Sequence, residues 1–328
     1  MKFIDNKTIL ITGGTGSFGQ TFSEYLIKKT NVRKVIIFSR DEMKQYLMQK
    51  KFDSNRLRFL IGDVRDYERL KLAFKNVDFV VHAAALKQVP AAEYNPLEFI
   101  KTNVYGSSNV VQAAIESNVK KVLAISTDKA VNPINLYGAS KLCSEKIFIN
   151  ANSMSALTTR FSVVRYGNVI NSRGSIVPMI KELKDANINI VPLTNEKMTR
   201  FFINLEDAVI FVLRCLNKMN RGEIFIPKMP SIKIVKLIEA IYPNARMKNI
   251  GVRPGEKIDE LLISADESSN VYEFSDHFII LPSNSLIPIK QLKKFLKKGK
   301  LAKTGFMYSS NNSKFLTLSE IRRLIAIL

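Results

Sequence analysis

Tyr137 and Lys141 open a helical pattern four residues apart, which sets both side chains on one face of that helix. An ammonium beside a phenol stabilises the phenolate and draws the tyrosine pKa down. Such a pair can take the proton of an alcohol while hydride leaves the same carbon. Shortly before it, an apolar run closes on Ser126, Thr127, Asp128 and Lys129. Read alone, Asp128 would cap a turn and Lys129 would be solvated. At the carboxyl end of a parallel strand, where ligands bind, Thr127, Asp128 and Lys129 are assigned instead to catalysis. A lysine serving as a base must be neutral, so Lys129 in such a role would have to titrate well below the usual value of about 10.4. Desolvation and neighbouring positive charge would push it that way.

A tyrosine and a lysine fall four apart by chance in many chains. Here the pair follows an N-terminal glycine loop, Thr12 to Gly19, between a strand-like run and a helical one. Gly13, Gly16 and Gly19 permit a tight turn, close approach to a pyrophosphate and packing of the next helix. Thr15, Ser17 and Phe18 fill the loop, and the helix N-terminus faces the anion. The pattern points to a dinucleotide. After the second strand, where an acid would bind the ribose of NAD, the chain reads Ser39-Arg40-Asp41, with Lys44 a turn later. Ser39, Arg40 and Lys44 suit a 2′-phosphate, so NADP is the expected cofactor. The alternative leaves Arg40 in solvent and gives the ribose to Asp41. Asp63 and Val64 fall at the adenine pocket, and Ala83 begins a small-residue wall beside the nicotinamide ribose.

These residues need an α/β frame. Strand-like runs at 7–12, 34–38, 57–61, 79–83 and 121–126 alternate with helical patterns such as 103–117. That alternation predicts a Rossmann-type doubly wound parallel sheet with a smaller α/β substrate-binding domain. Residues 1–170 are read as the NADP-binding domain and 171–328 as mainly substrate-binding, with about 198–228 returning to the first.

The chain has 328 residues, is 46% hydrophobic and carries two cysteines, Cys143 and Cys215. That composition supports a large core and argues against a disulfide framework or zinc site. No metal is expected. With no signal-peptide core and no apolar run of about 18 residues, a cytoplasmic protein without integral membrane association is expected. The net charge of +21 would suit an anionic partner. Its lysines are scattered and lack interleaved aromatics, so nucleic acid is not expected. The densest stretch, 290–303, reads as an amphipathic helix with a solvated lysine face. His82 and His277 are assigned structural roles.

Together these motifs resemble the nucleotide-sugar 4,6-dehydratases of the extended short-chain dehydrogenase group. The resemblance is to the C5-inverting branch that acts on UDP-N-acetylglucosamine and opens pseudaminic acid synthesis. It runs nearly end to end, through residues 12–19, 84–90, 92–96, 126–130, 132–141, 164–169, 198–201, 253–257 and 308–312. Retaining dehydratases carry Asp-Glu where this chain has Asp128-Lys129. The resemblance implies that Tyr137 and Lys141 oxidise C4, Lys129 takes the C5 proton and Asp128 protonates the departing C6 hydroxyl. Hydride then returns to C6, Tyr137 reprotonates C5 from the opposite face, and Thr127 binds the reacting hydroxyl. It assigns Lys87, Asn168, Val169, Arg253 and Glu256 to the UDP-sugar, with Arg173 and Arg200 as weaker candidates. A homo-oligomer is implied, with the hexamer as first candidate.

Three other readings share parts of this pattern. A retaining dehydratase would keep the C5 configuration. A 4-epimerase needs the tyrosine and lysine but no acid and base at C5 and C6. A non-catalytic Rossmann regulator would bind cofactor without needing Tyr137 or Lys141, and both are present.

Overall fold

The computed structural model describes residues 1–155, 158–172, 174–282 and 296–326. Arg173 and residues 290–295 of the expected lysine-rich helix lie outside the described residues.

β1 (Thr8–Thr12) is buried at every position, as a strand covered on both faces must be. α1 (Ser17–Lys29) follows and buries Gly19, Phe22, Ser23 and Leu26, one stripe at helical spacing. β2 (Lys34–Ser39), β3 (Leu57–Ile61), β4 (Phe79–His82), β5 (Lys121–Thr127) and β6 (Arg160–Tyr166) complete a parallel array in the order β3-β2-β1-β4-β5-β6. This is the doubly wound arrangement, whose order reverses between β1 and β4. Register aligns Thr12 with Phe38 and with His82, so the carboxyl ends open onto one crevice.

Residues beyond β6 extend the same sheet. Ile224–Pro227 runs parallel to β6, His277–Ile280 lies antiparallel to it, and Val271–Glu273 and Lys300–Leu301 follow outward. The helix Leu205–Lys218 packs on α1, whereas the strand before it, Thr199–Ile203, joins Asn168–Val169 and Ser231–Lys233 in a small separate sheet. A second core, built on Ile170, Val177, Leu193, Phe202, Leu237 and Ile321, lies under that small sheet.

The helical pattern expected from 103 to 117 begins earlier and differently. Ile100–Tyr105 is a π-helical turn that runs into an α-helix at Gly106–Glu116. In the wide turn, the buried Asn103 side chain accepts from the Leu86 N–H and donates to the Leu86 carbonyl, both at 2.9 Å. The turn thereby pins the loop after β4. No helix among the described residues is long and apolar enough to cross a membrane.

Candidate active site

One cleft of about 1200 Å³ runs along the carboxyl ends of the strands and beneath the small sheet. A single drug-sized ligand takes about 300–1,000 Å³, so this cleft has room for two. Its walls include Gly13, Thr15 to Gly19, Ser39, Arg40, Lys44, Asp63, Val64 and Ala83 at one end. Lys87, Asn168, Val169, Arg253 and Glu256 line the other, and Thr127, Lys129, Tyr137 and Lys141 stand between. Asp128 is not part of the wall. It is fully buried behind Lys129.

The glycine loop is shaped by contact as much as by turning. Gly13 has φ of +66°, and a Cβ there would come within 2.8 Å of the Ala84 backbone. The first turn of α1 carries no acidic side chain and no side-chain cap, which suits a helix N-terminus that faces an anion. Thr15 and Ser39 share a hydroxyl hydrogen bond of 2.7 Å that ties the loop to the end of β2. These features fit a dinucleotide pyrophosphate.

Around the expected ribose, Asp41 caps the helix Glu42–Phe52 by accepting from the Lys44 N–H at 2.9 Å. Its second oxygen pairs with the Lys44 ammonium. Arg40 is half exposed at the rim, 3.6 Å from Asp63. Asp63 also accepts from Arg65 at 2.9 Å. Burial would raise the Asp63 pKa, but the bonds and charges of Arg65 and Arg40 carry it below the usual carboxylate value.

The catalytic end is a chain of contacts. Tyr137 lies beside Thr127, whose hydroxyl donates to Asp128 Oδ1 at 2.8 Å. Lys129 Nζ lies 3.0 Å from the same oxygen, 3.4 Å from Asn168 Oδ1 and 3.4 Å from Glu260 Oε1. Glu260 in turn faces Arg200 Nε at 3.7 Å. Asp128 Oδ2 and Glu260 Oε2 are buried without partners. The helix Leu136–Met154 brings Tyr137 and Lys141 here, and it packs so closely that a Cβ on Gly138 would sit 2.2 Å from the Lys129 carbonyl. Lys141 Nζ donates to the Ile125 carbonyl at 2.8 Å.

Two electrostatic expectations are corrected by this geometry. Burial disfavours the Lys129 ammonium, yet the carboxylates of Asp128 and Glu260 outweigh it and hold the lysine above its usual range. Tyr137 is not lowered either: burial leads, and although Lys129 and Thr127 pull the other way, the phenol is pushed up to about 12. Lys141, by contrast, is lowered to about 8 by desolvation against the opposing charge of Glu145. Lys87 is lowered by desolvation and by Lys129. His82 accepts or donates to Thr12 at 2.8 Å inside the sheet, and burial lowers it to about 3. His277 stacks on Phe274 far from the glycine loop, in the antiparallel extension of the sheet.

Glu260 and the structural weight of Arg200 were not foreseen from the sequence. Glu260 follows Asp259 directly in a chain with 29 aspartates and glutamates, and nothing in the spacing singles it out. Asn135 was also missed, although its place before a helix start is a capping signal.

A parallel sheet of this order, a glycine loop at its switch point and a Tyr-Lys helix in the same cleft define an extended short-chain dehydrogenase-type enzyme. The comparisons agree. The family model "Polysaccharide biosynthesis protein" matches residues 9–282. UDP-N-acetylglucosamine 4,6-dehydratase (inverting) of Campylobacter jejuni subsp. jejuni is 52% identical over 313 residues, 94% of either chain. UDP-glucose 4-epimerase of Rickettsia conorii is 41% identical over 99% of this chain and 97% of its own. Among solved structures, Pen from Bacillus thuringiensis superposes with a TM-score of 0.91 at 36% identity, covering 99% and 98% of the two chains. A dTDP-glucose 4,6-dehydratase from Streptomyces venezuelae, solved with NAD, shares the fold alone: TM-score 0.70, 21% identity, 76% and 86% covered. The chain belongs to the polysaccharide biosynthesis family, within its nucleotide-sugar 4,6-dehydratase group.

Proposed function

We propose that the protein converts UDP-N-acetylglucosamine to UDP-2-acetamido-2,6-dideoxy-β-L-arabino-hex-4-ulose, removing water across C5 and C6 and inverting C5. The observation that carries this reading is Lys129, a lysine facing the cleft beside Tyr137 with a buried carboxylate 3.0 Å behind it. An epimerase acting at C4 alone has no use for that second pair. The 52% identity to the inverting dehydratase supports the same reading. Pseudaminic acid synthesis is the pathway this product would enter.

NADP is the proposed cofactor. Both oxygens of Asp41 are engaged by Lys44, which leaves the exposed Arg40 as the cleft group best placed for a 2′-phosphate. The exposed Asp41–Lys44 pair is worth little, so Lys44 can exchange it for phosphate. A bound nicotinamide would accept hydride from C4 and return it to C6.

The chain's own residues account for the protons. Tyr137, helped by the Lys141 charge, takes the proton of the C4 hydroxyl. Lys129 passes a proton to Asp128 across their hydrogen bond, which leaves a neutral amine and a neutral acid. The amine removes the C5 proton, acidified by the C4 ketone. Asp128 sends its proton through the Thr127 hydroxyl to the leaving C6 oxygen. Tyr137 then protonates C5 from the other face, so the Asp128–Lys129 ion pair is restored and one water has left. Lys87 and Arg253 suit the pyrophosphate, and the unpartnered buried Oε2 of Glu256 suits a ribose hydroxyl. Asn168 and Val169 line the sugar end.

We further read residues 1–170, with the strands that extend their sheet, as the cofactor-holding part and the small-sheet lobe as substrate-holding. A cytoplasmic homo-oligomer, first tested as a hexamer by light scattering, completes the proposal. The activity test is proton NMR of the product formed from UDP-N-acetylglucosamine. A new C6 methyl signal with an inverted C5 is expected. UDP-N-acetylgalactosamine as product would establish the epimerase, and a 6-deoxy ketose of unchanged C5 the retaining dehydratase.

A further inference from the structure

The Lys129 ammonium has two carboxylate neighbours, although acid–base work with Asp128 requires only one. Glu260 comes from a distant segment of the chain, just past the 253–257 motif, and its Oε1 stands 3.4 Å from Lys129 Nζ. It is 2% exposed, and its Oε2 has no partner. Its backbone is held on both sides by Ser310, which accepts from the Glu260 N–H at 2.9 Å and donates its own N–H to the Glu260 carbonyl at 2.8 Å. Arg200, on the other side, is fixed by bonds of 2.7–2.9 Å to the carbonyls of Thr199, Ile258 and Lys257. Neither side chain is a loose surface charge. They form an alternating row, Arg200, Glu260, Lys129, Asp128, that ends at the reacting corner of the cleft.

We propose that Glu260, backed by Arg200, is a positioning residue for Lys129: it holds the amine toward the sugar and keeps on the Lys129–Asp128 pair the one proton that the reaction passes to Asp128. The inference rests on the reading of Lys129 as the C5 base and adds what governs it. Asp128, Glu260, Arg200, Tyr137, Lys87 and Lys257 are the charged and titratable groups facing Lys129. Among them, Glu260 favours the ammonium and Arg200 opposes it, so removing either charge displaces the titration in opposite directions.

The test is competitive acetylation of the purified, cofactor-loaded enzyme with trace acetic anhydride, read at Lys129 by mass spectrometry across pH. This readout does not require turnover. Glu260→Gln is expected to lower the Lys129 midpoint by roughly one pH unit or more, the effect of one charge at this distance even under strong screening. Arg200→Gln is expected to raise it. Glu260→Asp keeps the charge and should leave the midpoint near wild type while the rate falls, because the shorter arm no longer holds the amine. The alkaline limb of the dehydration profile, where the Lys129–Asp128 pair loses its proton, should follow the same shifts. An unmoved midpoint in Glu260→Gln overturns the inference, and Glu260→Gln with Glu260→Asp decide it where Arg200→Gln fails to fold. A wild type that makes no 6-deoxy-4-ketose would instead remove the functional reading, and the acetylation result would stand independently.

Discussion

Asn135 Nδ2 donates to the Gly255 carbonyl at 2.7 Å, while its Oδ1 accepts from the Gly138 N–H at 2.7 Å. One side chain therefore caps the helix that carries Tyr137 and Lys141 and fastens the 253–256 loop to it. The two jobs separate by substitution. Asn135→Ala should lose about 1 kcal/mol of stability for the cap and also release the loop. Asn135→Asp keeps the capping oxygen but loses the donor. Thermal unfolding should thus recover in Asn135→Asp while the KM for UDP-N-acetylglucosamine stays raised. A KM that recovers with stability would mean the loop is held by other contacts.

Cofactor choice turns on Arg40. A hydrogen-bonded charge pair contributes about 1.5–3 kcal/mol, so Arg40→Ala should cut the preference for NADP over NAD by roughly ten- to a hundred-fold. Kd values for both dinucleotides, measured by calorimetry, check this. Equal affinities in the wild type would assign the ribose to NAD.

Lys141 gives a pH signature in stability. Desolvation holds it at about 8 in the folded protein, whereas in the unfolded chain it titrates near about 10.4. Between those values the unfolded state binds the extra proton, so raising the pH favours the folded state through this group. Below about 8 the folded protein carries the full cost of the buried ammonium. Lys141→Met removes the effect. Denaturant unfolding at about pH 7.5, 8.5 and 9.5, across that window, should show the wild type gaining on the variant as pH rises. A constant difference would place the Lys141 titration elsewhere.

Much of this architecture was legible from local pattern. The third strand runs 57–61 as expected, and the others differ by a residue at one end, because buried apolar runs between turn residues mark strands well. Local signals also led to the glycine loop and the Tyr-Lys helix. What stayed hidden depends on packing between distant segments. Glu260 and Lys129 meet across widely separated segments of the chain, and nothing near either residue encodes that contact. The same holds for charge. The carboxylates of Asp128 and Glu260 override burial at Lys129 and add to it at Tyr137, and the depth of Asp128 is invisible in a Ser-Thr-Asp-Lys string. The π-helical turn at Ile100–Tyr105 was hidden too, since the bond of Asn103 to Leu86 that accompanies it joins separate segments of the chain.

The stereochemical claim rests on Lys129. Its side chain is 23% exposed and reaches the cleft, whereas Asp128 is reached only through Lys129 and Thr127. Lys129→Ala leaves the glycine loop and the pyrophosphate-facing residues in place, so cofactor and UDP-sugar binding should persist. Loss of a general base costs about 100- to 10,000-fold, and dehydration should fall by that amount. The C4 step belongs to Tyr137, so a single turnover in the variant should still show partial reduction of bound cofactor by absorbance. In heavy water the wild type should place solvent deuterium at C5, because the Tyr137 hydroxyl exchanges before it delivers its proton, and the product should have the L-arabino configuration. A near-normal rate in Lys129→Ala would return that lysine to an electrostatic role. A product with unchanged C5 would keep the dehydratase and remove the inversion.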